Sequence, residues 1–164
     1  MFPIVNIHHG ISAVVDSGLQ KHAPGDRIVY GDAEYVFMYN GSNSAITAGK
    51  LVELISGASG WSVVASGTSA SRPHGVCVHQ TVSTGQYFWG LVGGVCPKAL
   101  LTGPTAASQA YLYAGALQHL TTTQPTGLNT ALGASPVAAL GKAMEEIASS
   151  TAGTNGRVFI FPLG

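Results

Sequence analysis

The sequence predicts a small, mainly β fold: one domain of barrel or sandwich type, preceded by an extended N-terminal arm. Short runs rich in β-branched and aromatic residues recur at regular spacing, each closed by Gly, Ser, Asn or Pro, which is the pattern of short strands joined by tight turns. The 164 residues include 22 glycines and 8 prolines, and only 9% are charged, against about a quarter in ordinary soluble domains. A chain of this length can bury a core of its own.

Residues 1–25 read as the arm. They hold His8-His9-Gly10, a short apolar patch from Ile11 to Val15, and the turn pairs Ser17-Gly18 and Pro24-Gly25. The β-rich domain then spans 26–164. Asp26 to Tyr30 and Glu34 to Tyr39, joined by Gly31-Asp32, form a hairpin that closes at Asn40-Gly41. Its aromatic and β-branched residues suit a pleated surface.

A weak internal repeat follows. Ile46 to Leu54, a Gly-Ser turn and Trp61 to Val64 are echoed by Ala106 to Tyr113, Ala114-Gly115 and Ala116 to Leu120. Each copy reads as a small-residue turn, a strand, a tight turn and a strand.

Between the copies lies a second hairpin, Gly75 to Thr81 and Gln86 to Val92, joined by a Ser-Thr-Gly connection. Bulky rings at Tyr87, Phe88 and Trp89 precede glycines that leave the backbone bare for a neighbouring strand or subunit. With no catalytic group at its centre, this segment reads as a packing surface.

Thr121 to Ser135 reads as a polar loop. Pro136 to Ser149 has good helix formers after a Ser-Pro start, so propensity alone predicts a helix there. Arg157 to Phe161 is a strong strand that Pro162 terminates.

Charge and hydropathy restrict the partners. Seven basic residues balance seven acidic ones, and mean hydropathy is +0.29. A neutral, apolar chain lacks the repulsion that keeps monomers apart, so it either crosses a membrane or assembles. No apolar run approaches the roughly 20 residues of a membrane span, which leaves obligate assembly. The Lys and Arg residues are scattered, without the basic stripe that nucleic-acid binding needs. Met1 to Asn6 lacks a basic start followed by a long apolar region, so no signal peptide is expected. Asn40-Gly41-Ser42 is then a turn rather than a glycosylation site.

Candidate chemistry is thin. His74, Cys77 and His79, with Cys96 as a fourth ligand, have soft-ligand character. On a strand, however, 77 and 79 share a face while 74 points away. Free, buried thiols are the expected state of Cys77 and Cys96, ahead of a disulfide or a metal. There is no nucleophile elbow, and Gly49-Lys50 lacks the earlier glycine of a phosphate loop. The acids are too scattered for a glycosidase pair. No enzyme activity, cofactor or metal is expected.

Several segments in order resemble the head decoration, or cement, proteins of tailed phages: Thr47 to Val52, Gly85 to Trp89 with Val92-Gly93, Gln109 to Tyr113, Leu140 to Glu145, and Arg157 to Phe161. The resemblance implies a β-rich subunit of β-tulip type, commonly a homotrimer. It implies a location on the outer capsid surface of the virion, where the subunit bridges the major capsid protein and stabilises the shell. It also implies that Gly141 to Glu145 is a strand, paired with the terminal strand through a loop at Ser149 to Gly156. Cys77, Cys96 and the loop 121–135 depart from the family pattern.

The residues expected to touch a partner are Met1, Phe2, Pro3, Ile4, Val5, His8 and His9 in the arm, and Tyr87, Phe88 and Trp89 in the second hairpin. Another virion part, capsid or tail, would share the composition. A carbohydrate-binding module would use the aromatic residues as a platform.

Overall fold

The computed structural model describes residues 14–16, 18–54, 62–65, 75–77, 80–103, 105–114, 120–123, 139–148 and 150–162. Among them there is no helix, and ten strands form one sheet. They are β1 (Arg27–Tyr30), β2 (Ala33–Asn40), β3 (Leu51–Leu54), β4 (Ser62–Ala65), β5 (Gly75–Cys77), β6 (Tyr87–Gly103), β7 (Tyr111–Ala114), β8 (Leu120–Thr121), β9 (Gly141–Ala143) and β10 (Ser150–Ile160). The fold is all-β, as the composition and spacing predict.

The strand pairings close on themselves twice. The first circuit runs β2–β4–β3–β5–β6 and returns to β2; the second runs β6–β10–β9–β7–β8 and returns to β6. Every pairing in one has its counterpart in the other. β2–β4 and β6–β8 are parallel. The antiparallel pairs β3–β4, β3–β5 and β5–β6 match β7–β8, β7–β9 and β9–β10. Isolated bridges Ile46–Val82 and Ala106–Ile147 complete the match. The internal repeat visible in the sequence is therefore a duplication of a whole five-strand unit. The two units share one 17-residue strand, β6.

A single local device starts β3, β6 and β7. In Thr47–Lys50, Ser83–Gln86 and Ala107–Ala110, the fourth residue's N–H donates to the first residue's carbonyl at 3.3, 3.2 and 3.0 Å. The third residue has positive φ in each: Gly49 at 89°, Gly85 at 81° and Gln109 at 68°. That is the requirement of a type II turn. Glycine meets it without a Cβ clash in two copies, and the third forces a side chain into the left-handed region.

The two interiors correspond position by position. The first holds Val36, Met38, Ile46, Val52, Val63, Cys77, Val82, Phe88 and Val92. The second holds Cys96, Ala99, Ala106, Leu112, Leu120, Ala143, Ile147, Val158 and Ile160, in one cluster with Leu51, Val76 and Leu91 from the opposite face of the first unit's strands. Volume is exchanged between equivalent sites. Met38 faces Phe88 across the first unit, whereas Ala99 faces Gly156 in the second. The space is recovered elsewhere: Ile147, the counterpart of Val82, packs directly over Gly156, and Met38 covers Gly90, whose counterpart is Val158. Close packing demands such reciprocity, because an unfilled methylene costs about 1 kcal/mol.

Several sequence expectations are refined. The hairpin 26–39 forms as β1 and β2. In the second hairpin β5 and β6 are antiparallel, but Val82 leaves to bridge Ile46 and the second strand runs on to Gly103. Thr47 to Lys50 is the small-residue turn that precedes β3. Within 139–148 the chain is strand and bend, correcting the helix that propensity predicts. The 3-residue β9 pairs with β10, and that pairing outweighs intrinsic preference. Ser150 to Gly156, expected as a loop, is the first half of β10. Residues 124–135 of the expected polar loop lie outside the described residues, and Thr121 belongs to β8.

The second half of the expected arm is docked on the domain. Val15 exchanges both backbone hydrogen bonds with Tyr87, at 2.9 and 2.8 Å, and Gly25 N–H donates to the Phe37 carbonyl at 2.8 Å. Asp16 accepts from the Gln86 side-chain amide at 2.8 Å.

Candidate attachment surface

β2 and β6 lie side by side in the first unit, and alternation sends Phe37 and Trp89 to the face opposite Met38 and Phe88. Phe37 and Tyr87 stack at 5.6 Å with 9° between ring planes, and Phe37 and Trp89 are 5.0 Å apart. Tyr39 lies 4.9 Å from Tyr87. His22, from the stretch before β1, covers this cluster with its ring 5.0 Å from Trp89 and 5.6 Å from Phe37. The cluster is packing, since each ring satisfies its quadrupole against another.

Phe88 and Trp89, expected at a partner contact, are 3% and 4% exposed and belong to the chain's own core. Tyr87 is half-buried. The run of bulky rings in the sequence signalled burial correctly but not what does the burying. Met1, Phe2, Pro3, Ile4, Val5, His8 and His9 lie outside the described residues, as do His74 and His79.

Cys77 and Cys96 are free and buried. Burial, reinforced by the neighbouring Cys96, pushes the Cys77 thiol up to about 12. Burial pushes Cys96 up to about 11, against a lowering hydrogen bond from the Lys98 backbone. Cys77 Sγ is 3.2 Å from the Gln80 carbonyl. Both thiols are protonated at neutral pH and lack the thiolate character of an activated nucleophile. Among the described residues no three His, Cys, Asp or Glu side chains gather to hold a metal. Buried polar groups there have structural partners. Asn40 donates to the carbonyls of Ser44 and Val82 and accepts from the Ser42 hydroxyl, pinning the turn after β2.

Among the described residues the exposed large hydrophobic side chains are Leu19, Val29, Tyr30 and Tyr111.

No protein-family model matches the chain, and no curated protein does. Its fold is similar to a solved structure, the N-terminal base of the head fibre gp8.5 of bacteriophage phi29. The similarity has a TM-score of 0.53 at 17% identity and covers 77% of this chain and 93% of that one. At that identity the likeness is one of fold.

Proposed function

We propose that this chain is a structural protein of a phage virion that attaches to the head as a decoration, or cement, subunit. The observation that carries the reading is the shared fold with a head-fibre base over most of both chains. Two independent features support it. The sequence segments resemble head decoration proteins, and a neutral, 9% charged, Gly-rich chain favours close apolar contact over free solution. In this reading a homotrimer sits on the outer capsid surface and contacts the major capsid protein, and catalysis plays no part. Many modest contacts act together through effective concentration, so each can be weak and the shell still gains.

The fibre-base likeness also favours a second reading, in which the domain anchors a projecting element and leaves shell stability unchanged. Heads with and without the protein separate the two. Complete and depleted particles are heated side by side while DNA release is followed with an intercalating dye. A lower release temperature in depleted heads supports the cement role. Equal temperatures with the protein still bound support the anchor. Absence of the protein from purified heads sinks both.

A further inference from the structure

The duplication allows the outer faces of the two units to be compared site by site. Across β3, β5 and β6 the register aligns Leu51, Val76 and Leu91, which are 2%, 0% and 0% exposed. The same cross-strand row in the second unit is Tyr111, Lys142 and Phe159. That row is more open, with Lys142 and Phe159 half-buried. Tyr111 is 53% exposed, and Lys142 Nζ sits 4.7 Å from its ring centroid. Phe161 lies 6.4 Å from Tyr111 and 6.2 Å from Phe159.

Alternation along β10 puts Arg157 on this face too, since Gly156 and Val158 point inward, and the β6 register brings exposed Lys98 beside it. Three basic residues that are far apart in sequence thus meet on one aromatic face. Glu145 is the acid at its edge, accepting the Arg157 backbone N–H at 2.8 Å.

The complementary surface is present on the same chain. Among the described residues β1 is the one strand paired along a single edge. It exposes Val29 (69%) and Tyr30 (38%), and exposed Asp26 and Asp32 flank it. Arg27 on this hairpin is already paired with Glu34 at 2.7 Å. Three of the four exposed large hydrophobic side chains among the described residues therefore fall on these two surfaces, one basic and one acidic.

We propose that the Tyr111–Lys142–Phe159 face of one copy receives the β1–β2 hairpin of a second copy. The joined surfaces differ, so the contact is heterologous, and copies add head to tail until the ring closes. Apolar area provides the attraction, and Asp26 and Asp32 opposite the three cations fix orientation and exclude other pairings. This contact gives a place to the self-assembly in the proposed function, and rests on that reading only for its setting.

The test is sedimentation of the purified full chain, without heads. An acceptor variant (Tyr111→Ser with Lys142→Ser) and a donor variant (Val29→Ser with Asp32→Lys) are each expected to self-associate at least about tenfold more weakly. Mixed in equal amounts they should form a dimer and stop, because one intact contact survives per pair. A monomeric wild-type chain, variants that assemble normally, or a mixture that stays monomeric would each overturn the proposal. If circular dichroism shows the acceptor variant misfolded, Lys98→Ser with Arg157→Ser takes its place with the same expectation. A monomer that still binds heads would overturn this contact alone; an assembling protein that ignores heads would overturn only the head-attachment reading.

Discussion

At the scale of single residues, the two thiols make a statement about pH. Their folded values, about 12 and about 11, lie above the ordinary value of 9. Above pH 9 the unfolded chain therefore loses these protons while the folded chain retains them. The unfolded state binds fewer protons, so stability falls as pH rises from about 9 toward 11. The slope is at most about 1.4 kcal/mol per pH unit for each thiol. Chemical denaturation at pH 8, 9 and 10 should show this decline. The variant Cys77→Ala with Cys96→Ala should fold and lose that part of the slope. Ala143 already occupies the counterpart of Cys77 in the second interior, so that site tolerates the smaller side chain. The burial of these cysteines was legible in the sequence. The burial of Phe88 and Trp89 on opposite faces was not, because a strand buried on both faces carries no polar alternation to say which neighbour covers it.

At the scale of elements, the three type II turns differ in one residue. Gln109 holds φ 68° where its counterparts are glycine, and the left-handed region costs an L-residue about 1 kcal/mol. Gln109→Gly should raise the free energy of unfolding by about 0.5 kcal/mol, the relief being reduced by glycine's greater freedom when unfolded. Gly49→Ala should lower it by more, because a Cβ there would meet the Lys98 carbonyl at 2.7 Å in addition to the backbone strain. Thermal melts of both variants check the opposite signs. The strands around the first two turns were legible from their β-branched runs. The third was legible only as an echo of the first. Small residues such as Ala106, Ala107, Ser108 and Ala110 carry no preference for strand, and the pairing of Leu112 with Gly141 places them. The same holds for Lys142 to Glu146, whose local preference for helix yields to β10.

For the whole molecule, one continuous β6 serves both units, so neither can lose its walls without opening the other. Unfolding should be a single transition. Leu112→Ala, in the second interior, should cost about 2–5 kcal/mol. It should lower the melting temperature reported by Trp89 in the first unit as much as that reported by far-UV circular dichroism, with Trp61 replaced by Phe so that one indole reports. Two separated transitions would show that the units are independent. At this scale the sequence conveyed the β class, the hairpins and half of the duplication. It did not convey the shared strand, because Gly93, Gly94 and Pro97 look like a stop. The irregularity in the β2 pairing between Leu91 and Gly93 and the positive φ of 96° at Gly94 bend the strand without ending it.

The shared strand also sets an order of events on the ribosome. The first unit can close once β6 has emerged, but the second cannot close until β10 arrives to pair with β9 and with β6 over Gly94 to Gly103. A nascent or truncated chain that stops before Ser150 would present that length of β6 with an open edge, in a polypeptide with little charge to hold others off. Rapid completion of the chain, or an early partner for that edge, is then as much a condition for soluble product as the stability of the finished fold.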